Sequence, residues 1–140
     1  MSRVFWDTNI YIYLFEGLGP FEEQARTLHA RMVQRRDELF TSTMTLGEIQ
    51  VGPRRTGNAS WADKCRDAVL QSSTVLPFDA KVADIYANLR TNPAIRPPDA
   101  IQLSCAAAVG VELFVTNDKS LHTLTIPGIH FITSLERAPI

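Results

Sequence analysis

Cysteine is nearly absent from this sequence. The two present, Cys65 and Cys105, sit in helical patterns with no paired-cysteine motif. Neither a disulfide framework nor a cysteine-based metal site is expected, and both read as buried thiols of a reducing compartment. Histidine is scarce too: His29, His122 and His130 are isolated, so no Cys/His cluster for structural zinc is present. No apolar run approaches the roughly 20 residues that span a bilayer, and the first residues lack a secretory signal pattern. A cytoplasmic location away from membranes is the expectation. Net charge is small, −1 at pH 7, which excludes an extended basic tail or an overall basic fold. It does not exclude a local basic patch. Repeats and low-complexity segments are missing as well. With 140 residues and a hydrophobic fraction of 45%, the chain fits one globular domain over residues 1–140.

What is there begins with Val4-Phe5-Trp6-Asp7-Thr8-Asn9. An apolar run ends abruptly in a carboxylate, a hydroxyl and an amide, and Ile10-Tyr11-Ile12-Tyr13-Leu14-Phe15 follows at once. The polar interruption separates a strand from a short buried helix, because buried polar groups need partners. Asp7 then stands at the C-terminal tip of a strand, where open parallel sheets bind ligands. A plain helix cap is the alternative role for it.

Pro20 suits the first position of a second helix, with Phe21, Ala25, Leu28 and Met32 at helical spacing. Leu39 to Thr43 reads as a strand. Thr45-Leu46-Gly47-Glu48 matches a capping box opening a short helix, and residues 52–58, including Arg54 and Arg55, read as a loop. Asn58 or Ser60 begins another helix. Thr74-Val75-Leu76 is a short strand, and Asp79 caps the helix after it. Pro97 and Pro98 argue against helix before Asp99, which starts a helix rich in Ala and Leu that Gly110 closes. Val111 to Thr116 is the second strong strand, ending in Asn117 and Asp118; residues 119–124 form a short helix and 129–132 an edge strand. This alternation specifies an α/β fold, a three-layer α/β/α sandwich around a parallel sheet of about five strands.

Asp7, Glu48, Asp99 and Asp118 occupy comparable positions, after strands or near helix starts. In a parallel sheet these transitions fall on one side of the domain, so the four acids are expected to converge. Their mutual repulsion would raise at least one pKa, and a divalent cation would relieve it. Magnesium and manganese favour such oxygen donors, and an acidic metal pocket suits phosphoryl transfer. Each acid also has a local reading: Glu48 and Asp99 as caps, Asp118 in an Asx turn.

The ordered set resembles the PIN-domain nucleases, above all the VapC-type toxin ribonucleases of toxin–antitoxin modules. Asp7-Thr8-Asn9 resembles the first motif, Glu48 in Thr45-Leu46-Gly47-Glu48-Ile49 the second, Asp99 in Pro98-Asp99-Ala100 the third, and Thr116-Asn117-Asp118 the fourth. The resemblance implies strand order 3-2-1-4-5 and cleavage of RNA dependent on Mg²⁺ or Mn²⁺. It implies Asp7, Asp99 and Asp118 as metal ligands, with Glu48 ligating or positioning water. Thr8, Asn9, Thr116 and Asn117 would be supporting residues. A homodimer and a neutralising antitoxin protein are implied as partners. Where many relatives carry a further acid or an aromatic, this chain continues Lys119-Ser120-Leu121, so one-metal and two-metal forms both stay open. Arg54, Arg55 and Arg96 are the candidates for contact with RNA phosphates. Three alternatives stand beside this, of which a receiver-domain phosphoacceptor is the weakest because its later catalytic lysine is not clearly placed and the second acidic position is poorly explained. A haloacid-dehalogenase-like phosphatase lacks support because no second Asp follows Asp7 closely. A PIN-like module that binds RNA or protein without cleaving it is the third.

Overall fold

The computed structural model describes residues 1–17 and 19–140; Leu18, in the segment before Pro20, lies outside the described residues. Five parallel strands form one sheet: β1 (Arg3–Trp6), β2 (Glu38–Ser42), β3 (Thr74–Leu76), β4 (Val111–Val115) and β5 (Ile129–Thr133). Their order is β3-β2-β1-β4-β5, as the family resemblance implies. The strands alternate with α1 (Thr8–Glu16), α2 (Pro20–Arg35), α3 (Thr43–Arg55), α4 (Ala59–Ser72), α5 (Ala80–Leu89) and α6 (Pro97–Val109).

Period-two side-chain alternation sorts the core onto two faces. Val4, Trp6, Leu39, Leu113 and Val115 pack with Ile10, Leu28, Met32 and Val69 of α1, α2 and α4. Phe5, Phe40 and Phe114 face the other way, against Val82 of α5 and Leu103 and Ala106 of α6. The Phe5 and Phe114 rings stack with centroids 5.1 Å apart. The three-layer arrangement follows. Both cysteines are buried and free, and burial pushes the Cys105 thiol up to about 11. No helix among the described residues is long and apolar enough to cross a membrane.

Several element boundaries differ from the sequence reading. The helix of the second acid does not start at Thr45. Ser42 caps it, accepting a hydrogen bond from Thr45 N, so Glu48 lies in the second turn and caps nothing. This helix is not short, and it runs through Pro53 to Arg55, so Arg54 and Arg55 are helical rather than in a loop. The last carbonyls of the helix are used: Thr56 N donates to Gly52 O at 3.2 Å and Asn58 N to Pro53 O at 2.8 Å. Pro97 and Pro98 likewise open α6 instead of preceding it. First-turn amides have no partner within the helix, so proline costs little there. Asp99 therefore sits in the first turn, with Arg96 at the cap. On α2, Ala25, Leu28 and Met32 are core, while Phe21 is exposed.

The stacked pair links the two strands that carry the first and fourth acids. Phe114→Ala should cost about 3–5 kcal/mol of stability, the usual range for a phenylalanine truncated in a packed core. Denaturant unfolding with far-ultraviolet circular dichroism measures it.

Candidate active site

β1 and β4 are neighbours, yet the chain leaves them toward opposite sides of the sheet. Their C-terminal ends therefore border a crevice, the place where open α/β sheets take ligands. The ladder continues one residue beyond the strands: Asp7 N donates to Val115 O at 3.0 Å and Thr116 N to Thr133 O at 2.9 Å. These bonds fix Asp7 and Thr116 as firmly as strand residues. A cleft of about 310 Å³ opens above them, and Asp7, Glu48, Asp99 and Asp118 all line it. The four acids thus meet, from four separate elements.

Asp7 is the buried member, 8% exposed. Its Oδ1 accepts from Thr8 N at 2.9 Å and Gln102 Nε2 at 3.2 Å, and its Oδ2 accepts from Thr116 Oγ1 at 2.8 Å. The cap role and the cleft role are thus held by one side chain. Thr8 Oγ1 donates to Glu48 Oε1 at 2.6 Å. Asn9 Nδ2 reaches Thr116 Oγ1 at 3.2 Å, and Asn9 Oδ1 accepts from Asn117 N at 3.4 Å. Asp118 Oδ1 accepts from Ser120 N and Oγ, the Asx-type turn read from the sequence. Arg96 reaches two acids at once, with Nε 3.7 Å from Asp99 Oδ2 and Nη2 3.9 Å from Asp118 Oδ2. Arg54 and Arg55 do not enter the cleft; Arg54 is tied to Gln50 and Asp63.

Burial pushes the Asp7 carboxyl above the ordinary carboxylate range, against hydrogen bonds from Thr116, Thr8 and Gln102 that pull it down; Glu48 adds to the rise. Asp99 is raised first by burial, then by the charges of Asp118 and Asp7, and Arg96 opposes this. Burial is the main cause in both, and neighbouring carboxylates add to it. Among the described residues, no three acidic, histidine or cysteine side chains are gathered tightly enough to hold a metal ion as they stand.

The PIN-domain family model matches residues 4–126, a span that includes all four acids. The chain belongs to the PIN-domain family. A curated relative of this PIN domain, ribonuclease VapC23 of Mycobacterium tuberculosis, is 27% identical over 122 residues, covering 84% of this chain and 94% of the relative. VapBC2 from Rickettsia felis, solved bound to a DNA fragment from its promoter, superposes with a TM-score of 0.76 at 20% identity, over 94% of this chain and 98% of that one. A toxin–antitoxin complex from Klebsiella pneumoniae superposes with a TM-score of 0.65 at 25% identity, over 90% and 94% of the two chains.

Sequence reasoning missed the layer beneath the acids of this PIN domain. Gln102 is almost fully buried, and its Nε2 lies 3.2 Å from Asp7 Oδ1, 3.1 Å from Thr8 Oγ1 and 2.9 Å from Thr45 Oγ1. Two N–H groups thus serve three acceptors. Ser42 Oγ donates to Gln102 Oε1, which turns the amide so that its donors face the carboxylate. Thr41 closes the layer, donating to Trp6 O at 3.0 Å. One signal was available: a glutamine three residues after Asp99, on the same face of an otherwise apolar helix.

A carboxylate whose pKa is raised by folding destabilises the folded state once ionised. The cost is absent below the unfolded pKa, grows as pH rises from there through the raised folded value, and is full above it. In chelator, Asp7→Asn should therefore unfold at higher denaturant than the wild type at about pH 7.5, by an amount of order 1 kcal/mol. The gap should shrink toward zero or reverse near about pH 3, below the ordinary aspartate value, where the wild-type carboxyl is largely protonated in both states. Urea titrations at the two pH values measure it.

Proposed function

We propose that this PIN domain is a metal-dependent ribonuclease and the toxin of a toxin–antitoxin pair. The convergence of Asp7, Glu48, Asp99 and Asp118 in one cleft carries the reading. The name of the M. tuberculosis relative and the toxin–antitoxin neighbours support it. The donor set fits Mg²⁺ or Mn²⁺: carboxylate oxygens with hydroxyl and amide oxygens around them, and no soft ligand. The spread of the acids fits as well, because magnesium usually takes one or two carboxylates and fills its other positions with water and phosphate oxygens. Asp7, Asp99 and Asp118 would hold the ion, with Glu48 either joining them or positioning water. When bound, the ion supplies a lowered water pKa and neutralises charge on the phosphate.

The residues of the chain do the rest. Thr116, Thr8 and Gln102 hold both oxygens of Asp7, so its orientation is set before substrate arrives. Asn9 and Asn117 tie the β4 tip to α1. Thr8 anchors one oxygen of Glu48 and leaves the other for water. That water attacks phosphorus in line and releases a proton to solvent, the P–O3′ bond breaks, and the 3′ oxygen takes a proton from solvent. The products are a 5′-phosphate and a 3′-hydroxyl. Arg96 is the phosphate contact within the cleft, and it changes partner from carboxylate to phosphate when the acids are neutralised. Arg54 and Arg55 act, if on RNA, outside the cleft.

On the same reading the chain is a single nuclease domain of the cytoplasm, paired as a homodimer and neutralised by an antitoxin. A hollow of about 390 Å³ between α1, α2 and α4, walled by Leu14, Phe15, Ala30 and Trp61, suits an apolar antitoxin segment. The lack of a tight three-acid group among the described residues favours one other reading, a PIN-like module that binds RNA or protein without cleaving it.

Cleavage of single-stranded RNA should require Mg²⁺ or Mn²⁺, stop in EDTA, and fall at least about a hundredfold in Asp7→Asn, beyond the effect usual for outer-layer residues. End-mapped total RNA measures it; cleavage that survives both treatments rejects the mechanism, and no cleavage with either ion favours the binding module. Gln102→Leu should lower kcat about 10–100-fold and raise the metal concentration needed for half-maximal rate, as loss of a ligand-orienting partner does. Metal titration of the cleavage rate separates this from simple unfolding.

A further inference from the structure

A second and larger hollow, about 730 Å³, lies beside the acid cleft at the same edge of the sheet. Its size falls in the range of small-ligand sites, roughly 300–1,000 Å³. The two share a wall: Asp118 faces the acid cleft, while its chain neighbours Asn117 and Lys119 line the second hollow. Tyr13 and Phe21 form its apolar side, with rings stacked at 4.7 Å and 25°. Phe21 is 42% exposed, so part of this aromatic pair is open to a ligand. Lys119 and Arg137 stand at the rim, and neither is in an ion pair among the described residues. Glu136 is the sole acid among the described lining residues.

Asn117 adds a directed polar group. Its Oδ1 accepts from Leu135 N at 2.9 Å, which fixes the amide, and its Nδ2 donates to nothing among the described residues. Nothing in the mechanism uses this donor, the aromatic pair or the two cations.

We propose that this hollow binds one unpaired nucleotide of the RNA strand, next to the cleaved bond. The proposal rests on the nuclease reading for the position of that bond. The base stacks on Phe21, backed by Tyr13, and accepts from the Asn117 amide; Lys119 and Arg137 take the adjoining phosphates. Aromatic platforms beside cations are how single strands are held with little sequence preference, since every base has a π-face. The charge balance favours a polyanion over an acidic-poor protein segment. A paired base keeps its faces stacked in the helix and is excluded, so the hollow selects single strands.

The test measures binding and cleavage separately on the full chain. Fluorescence anisotropy in EDTA gives Kd for a labelled single-stranded oligoribonucleotide, and cleavage in Mn²⁺ gives KM and kcat for the same strand. Phe21→Ala should weaken binding about 5–10-fold, at the lower end of what one stacked base contributes, and Phe21→Trp should restore it. Lys119→Ala with Arg137→Ala should weaken binding and flatten its salt dependence. An abasic residue walked along the strand should find one position that weakens wild-type binding but not that of Phe21→Ala. Unchanged Kd and KM in these variants, or a wild type that binds no single-stranded RNA, overturns the proposal. Cleavage with unchanged Kd leaves the nuclease reading standing and assigns the hollow to a protein partner. Phe21-dependent binding without cleavage in any metal keeps the hollow and removes the nuclease reading.

Discussion

A carboxylate buried where two parallel strands part is the constraint from which the rest of the site follows. Asp7 lies at the tip of β1 beside the tip of β4, with only 8% of its surface open to the cleft. Burying an ion without partners is expensive. The protein answers with donors from three other places in the chain: the amide of Thr8, the hydroxyl of Thr116 and the amide of Gln102. Those donors are fixed in turn by Ser42, Thr45 and Asn9. Satisfying one charge thereby locks α1, α3, α6 and the β4 tip into a single polar layer. That layer still leaves Asp7 with a raised proton affinity, because burial outweighs the donors that oppose it.

Asp7 and Asp118 were legible because each ends a strong local contrast, while the sheet order and the places of Glu48 and Asp99 in the set came from the family resemblance. An apolar run broken by Asp-Thr-Asn, or by Thr-Asn-Asp, can be read without knowing what lies beside it. Helix starts were less legible. Ser42 and Thr45 are both good caps by composition, and only the length of β2 decides that Ser42 is used. Pro97 and Pro98 read as breakers because their place relative to the first turn is invisible in sequence. Pro53 misled in the same way, so Arg54 and Arg55 were taken from a helix and put into a loop. The Gln102 layer was hidden for another reason. It is assembled from side chains on different elements, whose meeting depends on how closely α6 approaches the sheet.

That approach is set by size. Ala100, Leu103 and Ala106 are fully buried, and the small alanines let α6 lie close against Phe5 and Phe114. The turn that leads into β5 packs equally tightly on the end of α6: a Cβ on Gly128, where φ is +92°, would meet Ala107 O at 2.7 Å. Close packing on this face fixes the height of α6, and α6 carries both Asp99 and Gln102 one turn apart. Gln102 points beneath the cleft to Asp7, and Asp99 lines the cleft itself. The apolar contacts on one face of the sheet therefore set the spacing of charges at its edge.

The same edge explains how a chain with almost no net charge can present two unlike surfaces. The acid cleft concentrates carboxylates that Arg96 alone moderates from within. One residue to either side of Asp118, Asn117 and Lys119 turn to a surface with cations and an exposed aromatic. A field that reverses over so short a distance is invisible to composition, and it is weakened little by salt when the groups lie closer than a Debye length of roughly 8–10 Å. A polyanion laid across this edge meets repulsion in the cleft unless a cation fills it, and attraction beside the cleft in either case. On the proposed function, strand binding and metal binding would therefore be coupled: a divalent ion in the cleft would remove the repulsion that the strand otherwise meets, and a phosphate held at Lys119 and Arg137 would bring the next one toward the ion.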